Sequence, residues 1–317
     1  MTTVGVVINP TAGNGRAQGR GLEVMAALRA NGVSTVDLSG QDAEHALALA
    51  RAALDTLDAL VVVGGDGMAH LGVNAIAGTG VALGLVPAGS GNDLARALGV
   101  PVGDVPGAVR MILQAVAEGP RYIDAIATNS TVAPARVPRW TACVLSAGLD
   151  AAVNARANTY RWPGGAARYL RGVVAELATF TPYHYRITID GQVRTQFATL
   201  VALANGPTFG GGLKIAPNAE FDDGLMEVVI ADALNRRQIL RIFPRLYNGT
   251  HLSHPAVHVM RAREVTLEPG GEIPPPRAFG DGEDLFALPL TAKVLPRAVP
   301  LLAPSPESSP RRPAHRR

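Results

Sequence analysis

The sequence is short of cysteine, of charge and of aromatic residues. Its 317 residues include one cysteine, Cys143, so an internal disulfide is excluded and a reducing compartment is expected. Charged residues make up 17% of the chain and aromatic residues 5%, whereas 47% is hydrophobic. The chain can therefore bury a sizeable core, and its length is typical of about two domains.

Excess positive charge is confined to the C-terminal end. Residues 305–317 carry four arginines and one glutamate, which accounts for the whole formal net charge of +3. Because the rest of the chain is balanced, no basic face for nucleic acid is expected. This Pro/Ser/Arg-rich tail is predicted to be disordered and solvated, with contact to anionic lipid as the alternative.

No segment has the pattern of a membrane signal. The chain opens with Met1-Thr2-Thr3 and an apolar run, without the basic and then apolar start of a secretory signal. Residues 67–92 contain no Asp, Glu, Lys or Arg, but they include many glycines and Pro87 and show two periodicities. We interpret this run as helix, strand and loop of a buried core, and we expect a cytoplasmic protein.

The first third of the chain alternates between apolar strands and amphipathic helices. This alternation predicts a parallel sheet with helices on both faces, in which ligands bind at the carboxyl ends of the strands. The predicted strands are Val4–Ile8, Val33–Leu38, Leu57–Val63 and Val81–Val86, and helices are predicted over 42–54 and 68–77.

From about Tyr122 the pattern changes to longer alternating stretches, which favours a mainly antiparallel β domain. Tyr185–Ile189 and Val193–Ala204 are joined through Asp190-Gly191, a strong hairpin signal. Further strands are predicted over 225–230, 264–267 and 285–290, and helices over 166–179 and 236–247. A final apolar strand is predicted over 292–295 and 299–302.

Three glycine-rich turns follow strands of the first third. They are Asn9-Pro10-x-x-Gly13, Gly64-Gly65-Asp66-Gly67, and Pro87-x-Gly89-Ser90-Gly91-Asn92-Asp93. Backbone N–H groups in such turns bind phosphate oxygens. No Gly-x-x-x-x-Gly-Lys-Ser/Thr element exists, which excludes a P-loop, and the first turn is not Gly-x-Gly-x-x-Gly. Three turns on one rim indicate a phosphate-binding site of another kind.

In order and spacing, these turns resemble the catalytic domain of the diacylglycerol kinase and sphingosine kinase superfamily, most closely the soluble bacterial lipid kinases. The similarity covers about residues 1–304. Its specific parts are the Pro-x-Gly-Ser-Gly-Asn-Asp-Leu-Ala-Arg string at Pro87–Arg96 and the later Asp281-Gly282-Glu283. The Gly-Gly-Asp-Gly element alone is shared with NAD kinases and phosphofructokinases.

The resemblance implies two domains and a reaction. A phosphofructokinase-like, doubly wound α/β domain over 1–122 would bind nucleotide, with about 292–304 returning to it, and a C-terminal antiparallel β-sandwich over 123–291 would bind lipid. The active site is expected in the cleft between them. The implied reaction transfers the γ-phosphoryl group of ATP, with Mg²⁺, to diacylglycerol or a related lipid alcohol at a membrane surface. The enzyme would associate peripherally; its oligomeric state stays open, a homodimer being one option.

The resemblance also assigns residues to these roles. Asp66 would link to Mg²⁺ through water, and either Glu283 or Asp281 would take the proton from the lipid hydroxyl, since phosphoryl transfer needs charge neutralisation and a positioned base. A second metal site would be formed by the oxygen ligands Glu220, Asp223 and the carbonyl of Leu225. The nucleotide contacts would fall on Asn9, Pro10, Thr11, Ala12, Gly13, Ser39, Gly64, Gly65, Asp66, Gly67, Met68, Ala69, His70, Ser90, Gly91 and Asn92.

The chain departs from the family after Gly67. Where the family usually has Thr, a variable residue, Asn and Glu, this chain has Met68, Ala69, His70 and Leu71. Backbone contacts to phosphate would survive this change, whereas the hydroxyl and two polar side chains are lost. His70 is open to two interpretations, a substitute donor or a structural histidine.

Two other functions stay open on the sequence alone. The replaced positions suggest a catalytically inactive nucleotide or lipid sensor. The Gly-Gly-Asp-Gly element suggests an NAD-kinase-like enzyme with a soluble substrate, although such enzymes are not expected to carry the Pro87–Arg96 string.

Overall fold

A computed structural model describes residues 2–9, 16–160 and 165–304 of the chain. The chain divides into two compact units. The first, here the α/β unit, contains the residues up to Tyr122 and those from Val299 onward, and the second, here the β unit, is Ile123–Ala298.

The α/β unit alternates strand and helix as the sequence predicts. Its elements are β1 Thr3–Ile8, α1 Arg16–Ala30, β2 Ser34–Asp37, α2 Ala43–Ala53, a 3₁₀ turn Leu54–Thr56, β3 Ala59–Gly64, α3 Asp66–Ile76, β4 Ala82–Pro87, α4 Asp93–Ala97 and α5 Val105–Glu118. Capping fixes several helix starts: Asp42 accepts the N–H of His45, and Asp104 accepts that of Gly107.

The strands of this unit form a parallel sheet in the order β2-β1-β3-β4. Every residue of β3 and β4 is buried, as in a sheet that is covered on both sides. Helices α1 and α5 pack together on one face, and α2 and α3 pack together on the other. The predicted doubly wound architecture is confirmed, and it brings the carboxyl ends of β1, β3 and β4 to one edge.

The run at residues 67–92 folds as most of α3, strand β4 and the turn after it, which confirms its interpretation as core rather than as a membrane span. Within the described part of the chain, no helix is both long enough and apolar enough to cross a bilayer.

The β unit is a β-sandwich, as predicted, with three helices added to it. Its elements are β5 Arg121–Ser130, β6 Arg139–Thr141, β7 Val144–Gly148, α6 Leu149–Thr159, α7 Gly165–Leu177, β8 Tyr183–Ile189, β9 Gln192–Ala204, β10 Met226–Asp232, α8 Arg236–Ile242, 3₁₀ turns Phe243–Tyr247 and Thr250–Ser253, β11 Val257–Ala262, β12 Glu264–Pro269, β13 Phe279–Gly280, β14 Glu283–Asp284 and β15 Leu290–Leu301.

The predicted hairpin forms, and its strands pair with several other strands of this unit. Strands β8 and β9 pair antiparallel through Asp190 and Gly191, which both have positive φ, at 45° and 84°. The second half of β9 pairs antiparallel with β7 and with β10. Alternate residues Tyr185, Ile187 and Ile189 of β8 point into the core and are almost fully buried.

Some predicted elements of the β unit were wrong or missing. The strand predicted over 285–290 does not form: β14 ends at Asp284 and β15 begins at Leu290, because Pro289 has no N–H to donate to a ladder. Helix α8 stops at Ile242 and continues as a 3₁₀ turn that contains Pro244. Helix α6 was not predicted; it follows β7 directly through Gly148, at φ 118°.

The final apolar strand predicted over 292–295 and 299–302 forms as β15. Its last residue, Leu301, pairs in parallel with Leu83 of β4, and Leu302 donates its N–H to the Leu83 carbonyl at 2.8 Å.

Candidate active site

Two of the predicted glycine turns touch each other at the edge of the α/β sheet. Strands β3 and β4 end in register, with Gly64 opposite Pro87, so their turns start side by side. A Cβ atom on Gly89 would lie 2.5 Å from the Cα atom of Gly65, closer than real side chains come. Both positions therefore require glycine, since two backbones meet there.

Asp66 fastens the two turns together. Its carboxylate accepts the N–H of Asn92 at 2.8 Å and the N–H of Asp93 at 2.6 Å. Asn92 is left-handed, at φ 61°, and its side chain bonds both backbone groups of Gly89, at 3.1 and 2.8 Å. The Gly-Gly-Asp-Gly turn and the Pro87–Asp93 turn thus form one hydrogen-bonded body.

The described part of the first turn lies at the same edge. Asn9 donates its N–H to the carbonyl of Val63 at 3.2 Å, which places the end of β1 beside the end of β3. Ser39, after β2, accepts the N–H of Ile8 at 3.0 Å, so its hydroxyl supports this corner. Four predicted contact residues, Pro10, Thr11, Ala12 and Gly13, lie outside the described residues.

Helix α3 starts inside this cluster, at Asp66, with Gly65 as its N-cap residue. A small hollow, open to solvent, is lined by both turns, including Gly64, Gly65 and Asn92. The positive end of an eleven-residue helix beside glycine turns favours a phosphate group electrostatically. Nucleotide phosphates therefore fit this edge on chemical grounds.

The residues that depart from the family mostly serve packing. Met68 and Leu71 are buried, and the Met68 side chain lies against Gly64. The His70 ring lies 3.1 Å from Asn74 Nδ2, one helical turn further on, and Asn74 also donates to the His70 carbonyl. Replacement of the polar side chains therefore leaves the helix start and its backbone intact.

The other predicted contact residues are more open. Gly67 and Ser90 are exposed, and Ala69 and Gly91 are half-buried at the same two turns. The exposed Ser90 hydroxyl is thus available at the turn where a phosphate contact is predicted.

Asp66 can accept a hydrogen bond from a water of nucleotide-bound Mg²⁺ while it also holds the two turns. Each of its oxygens accepts one N–H group, and a carboxylate oxygen has capacity for a second partner. The residue therefore fits the indirect magnesium contact that the resemblance implies.

The two candidates for the catalytic base have different surroundings in the β unit. The carboxylate of Asp281 accepts three backbone N–H groups, from Ala142, Cys143 and Val144, at 2.8 to 3.1 Å. Asp281 also has a positive φ of 52°, so it acts as the anchor of its turn. Glu283 is exposed on β14. This difference favours Glu283 as the residue that takes a proton.

One carboxylate of the predicted second metal site is already paired with an arginine of the protein. Asp223 forms an ion pair with Arg261 and accepts the N–H of Leu225 at 2.9 Å. Glu220 is exposed and helps to raise the pKa of Glu227, whose main cause is burial. No cluster of three or more His, Cys, Asp or Glu side chains able to hold a metal occurs among the described residues. The metal role stays a prediction, and no reaction step is derived from it.

The sequence did not predict the main cavity of the β unit. Its empty space, including the part open to solvent, is about 680 Å³. Its walls come from α6, β9, β10 and α8 with the 3₁₀ turn after it, together with residues of α7, β11 and the connecting segments. All but three lining residues are apolar; the polar ones are Asp150, Thr199 and His251.

Asp150 is the unusual polar group of this cavity. It is 7% exposed, and neither carboxyl oxygen has a hydrogen-bond partner of good geometry. Burial raises its pKa from 3.8 to about 6, an effect that the nearby Ser146 hydroxyl partly offsets. Asp150 in turn helps to raise the pKa of Tyr185, after the larger effect of burial. The sequence signal that could have identified Asp150 is a single carboxyl group within an apolar stretch.

The other two polar groups bond to the wall, although His251 Nδ1 has no partner of good geometry. The Thr199 hydroxyl donates to the Asp232 carbonyl and accepts the N–H of Leu234, both at 2.9 Å. His251 Nε2 lies 3.0 Å from the Ile215 carbonyl, and burial lowers its pKa. The cavity therefore suits a largely apolar ligand.

Comparison with known proteins agrees with this geometry. The diacylglycerol kinase catalytic domain matches residues 3–124, and the YegS C-terminal NAD kinase beta sandwich-like domain matches residues 143–303. A diacylglycerol kinase of Mycobacterium tuberculosis is 34% identical over 306 residues, covering 95% of each chain.

Two solved structures share the fold. A diacylglycerol kinase from Bacillus anthracis aligns with a TM-score of 0.69 at 20% identity, covering 97% of this chain and 98% of its own. Yeast NADH kinase, solved with NADH, aligns with a TM-score of 0.53 at 12% identity, covering 95% and 82%. On the family match and the 34% identity, the chain belongs to the diacylglycerol kinase family, in the branch with a YegS-type C-terminal domain.

Proposed function

We propose that this protein is an ATP-dependent lipid kinase whose acceptor is diacylglycerol or a closely related lipid alcohol. The apolar cavity of the β unit is the observation that carries the lipid acceptor, because a soluble substrate such as NAD would need many polar partners there. The name of the relative from Mycobacterium tuberculosis supports diacylglycerol in particular.

The α/β unit holds the donor in this proposal. Backbone N–H groups of the two joined turns and the start of α3 bind the phosphates, and Asp66 keeps the turns in place. Mg²⁺, when bound with ATP, neutralises charge on the phosphate oxygens. The close backbone contact between Gly65 and Gly89 holds the two turns together before the nucleotide binds.

The β unit holds the acceptor and the base. The acyl part of the lipid occupies the apolar cavity, and Glu283 accepts the proton of the lipid hydroxyl. The hydroxyl oxygen forms a bond to the γ-phosphorus as the bond from that phosphorus to the β-phosphate oxygen breaks. ADP departs with the bonding electron pair, and the product is a lipid phosphate.

A lipid panel with radiolabelled ATP and Mg²⁺ tests the proposal. Label is expected in phosphatidic acid when detergent-dispersed diacylglycerol is the acceptor, and in the Glu283→Gln variant it is expected to fall at least about a hundredfold. Absence of labelled product from every lipid offered, with folded protein, would refute the function.

A graded change in the cavity tests where the lipid binds. Ala231 lines the cavity, so Ala231→Val and then Ala231→Phe should raise the KM for the lipid in that order while the KM for ATP stays constant. An unchanged lipid KM in a folded Ala231→Phe protein would place the acyl chains elsewhere.

A further inference from the structure

One wall of the cavity is a segment with two distinct faces. It consists of α8 and the 3₁₀ turn after it, Arg236–Tyr247, and is called the roof segment below. Ile239, Ile242, Phe243 and Leu246 line the cavity. Their spacing of three, four and seven residues is that of one helical face. The inner face of the roof segment therefore belongs to the lipid pocket.

The outer face of the roof segment is basic and apolar together. Leu240 and Tyr247, seven residues apart, are 59% and 60% exposed. Four arginines on the same short segment are exposed, and residues 234–250 contain no Asp or Glu. The exposed arginines are Arg236, Arg237, Arg241 and Arg245.

A second exposed apolar patch of the β unit lacks this charge. Val193 and Phe197, on β9, are 53% and 56% exposed, and the Phe197 ring stacks on His184 with centroids 4.4 Å apart. Arg186 on the neighbouring strand is paired with Glu268 at 3.6 Å. This hairpin face is thus electrostatically compensated, whereas the roof segment is not.

We propose that the outer face of the roof segment docks on an anionic lipid bilayer. Arginines near such a surface are attracted to its negative charge, while a leucine and a tyrosine are suited to the boundary between headgroups and acyl chains. This inference rests on the proposed function, because docking would hold the wall of the lipid pocket against the bilayer that contains the lipid substrate. The binding itself requires no turnover.

Vesicle co-sedimentation measures the docking directly. The full chain is mixed with vesicles of phosphatidylcholine alone, or of equal parts phosphatidylcholine and phosphatidylglycerol. Binding to the anionic vesicles alone is expected, and added salt should weaken it. Arg237→Gln with Arg241→Gln should lower the partition coefficient about 25-fold, or about fivefold for each arginine. Leu240→Asn with Tyr247→Asn should lower it as well.

Two matched variants remove the same charge elsewhere. Arg186→Gln with Arg194→Gln changes one arginine on each face of the β8–β9 hairpin, and Arg316→Gln with Arg317→Gln changes the C-terminal tail. Both are expected to lower the partition coefficient far less than the roof variant does. The docking surface is refuted if wild-type protein ignores anionic vesicles, if the roof variants bind like wild type, or if a matched variant loses as much binding.

A kinase assay on the same proteins separates this inference from the proposed function. The arginine roof variant should phosphorylate detergent-dispersed diacylglycerol like wild type but act more slowly on diacylglycerol in anionic vesicles. Equal loss in both settings would contradict a docking role. If wild type phosphorylates no lipid in detergent, the proposed function fails, whatever the vesicle binding shows.

Discussion

Replacement of Asp150 by asparagine should make the protein more stable at neutral pH. The residue is buried in the apolar cavity with no partner of good geometry, so its charged form is disfavoured. Its pKa rises from 3.8 in the unfolded chain to about 6 in the folded protein. At about 1.4 kcal/mol per pKa unit, the ionised carboxylate costs roughly 3 kcal/mol of folding free energy at neutral pH.

The sign of the pH dependence follows from the direction of this shift. Between about pH 4 and pH 6 the folded state holds a proton on Asp150 that the unfolded state has released. The contribution of this residue to stability is therefore present at low pH and is lost as the pH rises through that window. Asp150→Asn, which never ionises, should be nearly as stable as wild type at about pH 4 and roughly 3 kcal/mol more stable at about pH 7.

Urea unfolding at both pH values measures the difference between variant and wild type. Asp222→Asn, at an exposed turn of the same unit, is the matched control and should change stability by less than about 0.5 kcal/mol at either pH. A stability difference that is the same at both pH values, or a variant less stable at neutral pH, would refute the reasoning about Asp150.

Three further predictions concern the turns and the acidic pair. Gly89→Ala should weaken ATP binding and lower stability by about 1–3 kcal/mol, because the new Cβ would meet the backbone of Gly65. The control Gly19→Ala, whose Cβ would have no atom within 4 Å, should be neutral or stabilising. Calorimetry measures the ATP binding and thermal unfolding measures the stability. Asp281→Ala should lower stability by about 2–4 kcal/mol, since three backbone N–H groups lose their acceptor, and an unchanged melting temperature would contradict the anchoring role. Glu283→Ala should instead keep its melting temperature and lose at least about a hundredfold in lipid phosphorylation, so wild-type turnover would remove it from the base role.

Local pattern was sufficient to predict the strands of the α/β unit and its helices α2 and α3, but α4 and α5 were not predicted. Its strands are continuous apolar runs and its turns are marked by glycine, so the order of elements and the shared edge follow from alternation alone. The contact between Gly65 and Gly89 also depends on neighbouring strands, which the parallel topology supplies.

The β unit was less predictable because its main features depend on distant residues. The cavity is assembled from α6, α7, β9, β10, α8 and β11, and no single stretch of sequence carries its pattern. The pairing of Asp223 with Arg261 joins the turn before β10 to strand β11, and the three N–H groups that hold Asp281 come from residues far away in sequence. The sequence therefore named the acidic residues as candidates but could not predict the partners that hold Asp281 in its turn.

An acceptor competition tests the account most directly. Purified protein is given γ-labelled ATP and Mg²⁺ with equal concentrations of detergent-dispersed diacylglycerol and NAD, and the organic and aqueous products are separated. An apolar cavity that binds acyl chains predicts label in phosphatidic acid and none in NADP. Label in NADP, with none in the lipid, would contradict the claim that this cavity selects a lipid.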